Sequence, residues 1–147
     1  MDKDKVEDNE YLARIICSPL MFRNGIISPS AYFLEIMRSG DLDSYISVWR
    51  LSRKKPNKSN VKFPPRAKDN TWIGYAKIKT EDVRAEHYKD VRTLVKSEYK
   101  HESNNFHAGI WYVLKKDISV NAGICLNPNY IKVAEKLAKK SKAVIWK

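Results

Sequence analysis

Three histidines, His87, His101 and His107, are the only side chains in this sequence that exchange protons near neutrality without a large pKa shift. His107 is the best placed of them. It opens the apolar run His107 to Leu114, and a strand would fix its ring more firmly than a loop. Arg14, Lys115 and Lys116 are cations that would stabilise a phosphate. An acid, a base and a cation are what a metal-free ribonuclease requires. The competing reading makes His107 a strand-end residue bonded to the adjacent turn and leaves His87 and His101 exposed.

Charge points elsewhere. The 147 residues carry 28 Lys and Arg against 17 Asp and Glu, a net charge of +11. Eight of those cations, Arg50, Arg53, Lys54, Lys55, Lys58, Lys62, Arg66 and Lys68, fall between residues 50 and 68, where no acid occurs. Pro56, Asn57, Ser59, Asn60, Pro64 and Pro65 make that segment a loop. It is long for a compact domain, so it is a disordered insertion or a functional loop, and either way its cations face solvent. A polyanion is the natural external partner, and nucleic acid is the commonest one. A solvated linker and a docking site for an acidic protein are the alternatives. Trp49 and Trp72 flank the loop and would frame a groove at its base. They and Phe63, Tyr75, Tyr99, Trp111 and Tyr112 are candidates to stack bases, although most should be core.

Several chemistries find no support. Phosphate-binding glycine loops, zinc helices and serine-nucleophile elbows are missing, and the five glycines are scattered singly. The acids are interleaved with lysines as on solvated faces, so neither a metal nor a resident cofactor is expected. Cys17 and Cys125 lie far apart in apolar surroundings and read as buried thiols.

The elements that must position these residues follow from periodicity. Tyr11 to Cys17, Tyr45 to Leu51, Thr71 to Lys79 and His107 to Leu114 read as strands, the last of them central, and Val91 to Val95 is strand-like. Along Thr71 to Lys79, Trp72, Gly74, Ala76 and Ile78 fall on one face and Ile73, Tyr75, Lys77 and Lys79 on the other. Ser28-Pro29-Ser30 is a helix-start signal, with strand as a close alternative for Ala31 to Met37. Glu81 and Asp82 suit the first turn of a short helix after Thr80. The clearest helix follows Asn127-Pro128. Tyr130, Val133, Ala134, Leu137, Ala138 and Ser141 recur at helical spacing, with Lys132, Lys136, Lys139 and Lys140 outside. Ala143 to Trp146 would close the sheet as an edge strand.

A combination of short signals also carries a resemblance. Arg14, Ser30-Ala31-Tyr32, Ser47-Val48 and His107-Ala108 resemble the pattern of small uncharacterised bacterial proteins, over about Tyr11 to Leu137. An early arginine, a Ser/Tyr site and a late polar strand residue also resemble ADP-ribosyltransferase-type domains, including the RES type of toxin. That resemblance implies that Arg14 holds the phosphates of NAD, that Tyr32 or Ser47 lines the nicotinamide pocket, and that His107 is a polar substitute. The late glutamate of such domains has no clear counterpart here, Glu98 and Glu102 being the nearest.

The sequence therefore predicts one α+β domain, residues 11–147, behind an acidic tail, residues 1–10. Its sheet is mixed or antiparallel, with a C-terminal amphipathic helix. The expected function is accessory or regulatory binding of RNA or single-stranded DNA through Arg50 to Lys68 and the basic face of the final helix. An ADP-ribosyltransferase-like or ribonuclease-like enzyme and a subunit docking on a larger protein are the alternatives. The longest apolar runs are a few residues and the start is acidic, so no membrane span or secretory signal is expected and the cytoplasm is the expected location.

Overall fold

The computed structural model describes residues 4–35, 43–61, 71–114 and 128–147. Its chain order is β1 (Tyr11–Ser18), β2 (Phe22–Arg23), β3 (Ile26–Ile27), β4 (Ile46–Arg50), β5 (Thr71–Lys79), α1 (Thr80–Arg84), β6 (His87–Tyr88), β7 (Val91–Ser97), β8 (His107–Leu114), α2 (Asn129–Lys140) and β9 (Lys142–Ile145). Seven strands form one antiparallel sheet in the order β6-β7-β8-β4-β1-β5-β9, and β2 pairs with β3 as a separate hairpin. The fold is α+β and mostly strand. β9 is an edge strand, as its sequence suggests, and β8 is interior as expected, paired with β7 on one side and with β4, the middle strand, on the other. No helix among the described residues is long and apolar enough to cross a membrane.

The two faces of the sheet are covered differently. Alternation along each strand sends Leu12, Ile16, Ile46, Val48, Ala76, Ile78, Ala108, Ile110 and Tyr112 to one side, where α2 packs through Tyr130, Val133, Ala134, Leu137 and Ala138. That side holds the main core. Ala13, Ile15, Trp49, Tyr75 and Phe106 form a smaller core on the other side, covered by Leu51, Val61, Val144 and Trp146. Leu51 and Val61 thus bring the described part of the basic loop over the second core, with α2 on the opposite face.

Local departures from the sequence reading have local causes. Ser28-Pro29-Ser30 starts only a 3-10 turn, Pro29–Tyr32, because Ser28 makes no side-chain cap and Ser30 Oγ instead donates to Leu20 O at 2.6 Å. Asn24-Gly25, passed over in the sequence, closes the β2–β3 hairpin with positive φ at both residues (54° and 79°), the requirement of a type I′ turn. Gly74 admits β9. A Cβ there would lie 2.1 Å from Val144 O and 2.9 Å from Ile145 Cα.

The acidic start is not a tail over its described part. Val6 is buried in the main core, and Thr80 N and Glu81 N donate to Glu10 O (2.8 Å) and Asp8 O (3.0 Å). Arg84 reaches Asp8 Oδ1 at 2.7 Å. Counting charges finds the acids but not the arginines that await them, which lie 40 to 76 positions away.

Candidate nucleic-acid interface

The first half of the basic loop is built, not slack. Asn57 Oδ1 accepts from Ser59 N and Asn60 N, each at 2.9 Å, while Asn60 Oδ1 accepts from Asn57 N (2.7 Å) and Asn60 Nδ2 donates to Lys55 O (3.0 Å). These side chains supply the donors and acceptors that a backbone ladder would supply in a strand. Pro56 is buried, and its carbonyl accepts from Trp146 Nε1 at 3.2 Å. Leu51 and Val61 hold the two ends on the smaller core. Lys54, Lys55 and Lys58 are left exposed on a shaped turn.

Beside that turn lies a cleft of about 490 Å³ lined by Trp49, Lys54, Ser59, Asn60, Asn104, Phe106 and His107. β4 and β8 position its floor. Trp49 is the register partner of His107, so both rings lie on the loop side of the sheet. Ring centroids are 4.5 Å apart for Trp49–Phe106, 4.5 Å for Phe106–His107 and 5.9 Å for Trp49–His107. The Lys54 ammonium sits over the Phe106 ring, 4.6 Å from its centre. Burial and the charge of Lys54 both lower the His107 pKa from its ordinary value, so the imidazole is neutral at pH 7. The arrangement offers a donor or acceptor in His107, amides in Asn60 and Asn104, and the Lys54 ammonium over Phe106. That set suits a phosphate with an attached base.

Not every residue nominated from the sequence belongs here. Arg50 is only 3% exposed and turns to the other face, where its guanidinium donates to Glu10 Oε1 (2.9 Å), Glu10 Oε2 (2.8 Å), Asp4 O, Lys5 O and Ser97 Oγ. It is a buried structural cation and is withdrawn from the binding set. Arg53, half-buried, is shared between Asn105 O (2.8 Å) and Asp4 Oδ1 (3.5 Å). Lys62, Phe63, Arg66 and Lys68, together with Lys115, Lys116 and Cys125, lie outside the described residues. The helix lysines are exposed but occupy the opposite face of the molecule. Lys140 pairs with Glu86 at 3.1 Å, Lys132 with Glu135 at 3.6 Å, and Lys136 donates to His87 O at 3.0 Å, while Lys139 is solvated. Among the described residues, the loop lysines and the helix lysines therefore lie on opposite faces. The sheet separates them.

The four catalytic candidates are also divided by the sheet. Arg14 is buried, donating Nε to Ala31 O (2.7 Å) and Nη1 to Ser47 O (3.1 Å) and pairing with Glu35 at 3.3 Å. Tyr32 is enclosed beside it. Its hydroxyl shares a 2.5 Å hydrogen bond with Ser141 Oγ, and burial pushes its pKa up to about 12. Ser47 meets Arg14 only through its carbonyl, since β4 alternation sends the Ser47 side chain to the loop face with Trp49 and His107. Arg14 and Tyr32 thus stand apart from Ser47 and His107, so the NAD-type set of Arg14, Tyr32 or Ser47, and His107 is split between the two faces.

Of the nominated aromatics, Tyr75 and Tyr112 are core, and Trp111 stacks against Tyr45 with centroids 4.8 Å apart. Trp49 and Trp72 line separate recesses on either flank of the loop. His87 and His101 are exposed, and Cys17 is buried. Among the described residues there is no group of three or more His, Cys, Asp or Glu able to hold a metal. Phe106, Asn60 and Asn104 were missed as site residues. Only the cross-strand register and the turn around Asn57 bring them to the cleft, and neither is written in local composition.

Comparison with known proteins matches no family model, no curated protein and no solved structure.

Proposed function

We propose that the protein binds single-stranded nucleic acid, RNA or DNA, at the cleft beneath the basic loop, in an accessory or regulatory role. One observation carries this reading: Lys54, Lys55 and Lys58 are exposed on a hydrogen-bonded turn, and Lys54 stands over an aromatic floor that ends in His107. None of the three has a carboxylate partner among the described residues, so their charge is available to a polyanion. An aromatic surface favours unstacked bases, whose faces a duplex hides.

The test is fluorescence anisotropy with labelled single-stranded RNA, single-stranded DNA and duplex DNA across a salt series. Each phosphate neutralised on a single strand contributes about 0.7 to the slope of log affinity against log salt. Changing Lys54, Lys55 and Lys58 to Glu should reduce that slope by about 2 and favour neither strand type. Unchanged affinity would remove the loop from the site, and weak binding blind to polymer type would assign the charge to docking on an acidic protein.

A ribonuclease reading retains one observation in its favour: a neutral imidazole close to an ammonium group. It requires that RNA be cut and that His107→Ala abolish cutting while leaving affinity for single-stranded DNA in place.

A further inference from the structure

The sheet register extends the site beyond the cleft. Lys142 pairs with Lys77, Lys77 with Ala13, Ala13 with Trp49, and Trp49 with His107. Directly paired residues share a face, so these five form one row across β9, β5, β1, β4 and β8 on the loop side of the sheet. Four strand spacings of about 4.8 Å make the row about 19 Å long. Its middle lies beneath the loop, and its two ends are open. One end is the His107 cleft. The other is a recess of about 360 Å³ lined in part by Tyr11, Leu51, Ser52 and Lys77.

The second recess has its own chemistry. Tyr11 is 43% exposed, an unusual place for a large ring on a strand that is otherwise buried. The Lys77 ammonium sits 4.5 Å from the centre of that ring. Lys77 and Lys142 are like charges directly opposite each other, an arrangement that destabilises a sheet. Neither has a carboxylate partner among the described residues. Glu10 borders the recess, but its two oxygens are occupied by Arg50, by Ser52 Oγ (2.8 Å) and by Glu7 N (2.7 Å). Lys79, one residue pair along, is tied to Glu81 at 3.0 Å and adds nothing.

We infer that Tyr11, Lys77 and Lys142 form a second subsite for the same single strand, Tyr11 stacking a base and the two lysines taking its phosphates. The strand passes from the His107 cleft around the turn at residues 51–54 to reach it. An acidic protein would also use the lysines; the exposed ring beneath one of them adds a face on which an unstacked base can lie, and competition with polyglutamate separates the two. This inference rests on the nucleic-acid reading of the first cleft.

Anisotropy titrations of the full chain with oligouridylates and oligodeoxythymidylates of about 4 and about 12 nucleotides test it, the longer ones reaching both ends of the row. Tyr11→Ala should weaken the longer oligonucleotides about tenfold, leave the shorter ones within about twofold, and be rescued by Tyr11→Phe. Lys77→Gln with Lys142→Gln should lower the salt slope of the longer ones by about 1.4, and this double variant decides the matter should Tyr11→Ala fail to fold. Longer oligonucleotides that lose affinity on changing Lys54, Lys55 and Lys58 to Glu, yet ignore both of these variants, would overturn the second subsite and leave the first intact. No binding by the unaltered chain would overturn both. Polyglutamate displacing the longer oligonucleotides as well as an unlabelled one of equal charge would also overturn it, in favour of an acidic protein.

Discussion

Replacing Arg50 by Met separates a structural cation from a binding one. The guanidinium makes five hydrogen bonds, two of them to Glu10, at an ion pair whose side chains are 4% and 10% exposed. Methionine fills the space but leaves the Glu10 carboxylate and two carbonyls without their donor. Removing one partner of a buried pair costs about 3–5 kcal/mol, because the remaining charge stays desolvated. For a chain of this size that is a fall in melting temperature of roughly 10–20 °C. Circular dichroism melts and urea titrations at pH 7 read it directly. Glu10→Gln keeps the shape and should cost less, about 1.5–3 kcal/mol. The pH dependence has a definite sign. Burial raises the Glu10 pKa, but hydrogen bonds from Arg50, Glu7 N and Ser52 together with the charge of Arg50 outweigh it and hold the carboxyl below its ordinary value. Its contribution is therefore complete above about pH 4.3 and is lost as pH falls through the lower folded value, and Glu10→Gln should flatten that acid limb. An Arg50→Met protein that melts within about 2 °C of the original yet binds oligonucleotide tenfold more weakly would refute the structural role.

Other expectations follow from single contacts. Gly74→Ala places a methyl group against Val144 O and Ile145 Cα, so β9 must shift. A loss of about 1–3 kcal/mol is expected by urea denaturation, with early hydrogen exchange in residues 142–145. Thr80→Val removes a buried hydroxyl that has no partner among the described residues, and stability should stay level or rise in the same assay. Leu137→Ala empties the contact of α2 with the main core and should cost about 2–5 kcal/mol. Oligonucleotide affinity should increase as pH falls through the depressed His107 pKa, since a protonated imidazole attracts phosphate, and His107→Gln should abolish that increase. Protonation also works against the fold there, because the folded state holds His107 neutral, so stability should decline below about pH 6.5.

Periodicity makes most of the fold legible in the sequence, and the register of the strands stays hidden. β1, β4, β5, β7, β8, β9 and α2 are announced by alternation, β-branched content or helical spacing, and the buried face of α2 is the one its apolar residues outline. Which strand neighbours which is a property of pairs distant in sequence, so nothing local places β4 in the middle or sets Lys142, Lys77, Trp49 and His107 in one row. The same limit hid the fate of Arg50. As the last residue of β4 it joins the basic run in sequence, but strand alternation carries its side chain to the face opposite Trp49. His107 does open a strand, as its sequence suggests. Its partners in the cleft, Trp49 and residues from 54–60 and 104–106, required the fold to assemble them.

A net charge of +11 is a poor guide to a binding surface until the paired cations are subtracted. The acidic start of the chain is what performs the subtraction: Glu10 takes Arg50, Asp4 takes Arg53, and Asp8 takes Arg84, which keeps these three guanidinium groups on the fold. Glu86 and Glu135 do the same for Lys140 and Lys132 on the helix face. On the loop face Lys54, Lys55, Lys58, Lys77 and Lys142 keep their charge without such partners among the described residues. Guanidinium groups suit fixed, bidentate internal bonds, whereas flexible ammonium groups suit a ligand whose phosphates need not stand in one geometry. The three arginines held by the acidic start thus belong to the fold, while the lysines of the loop face, beside the exposed Tyr11 and the His107 cleft, keep charge that a polyanion would meet.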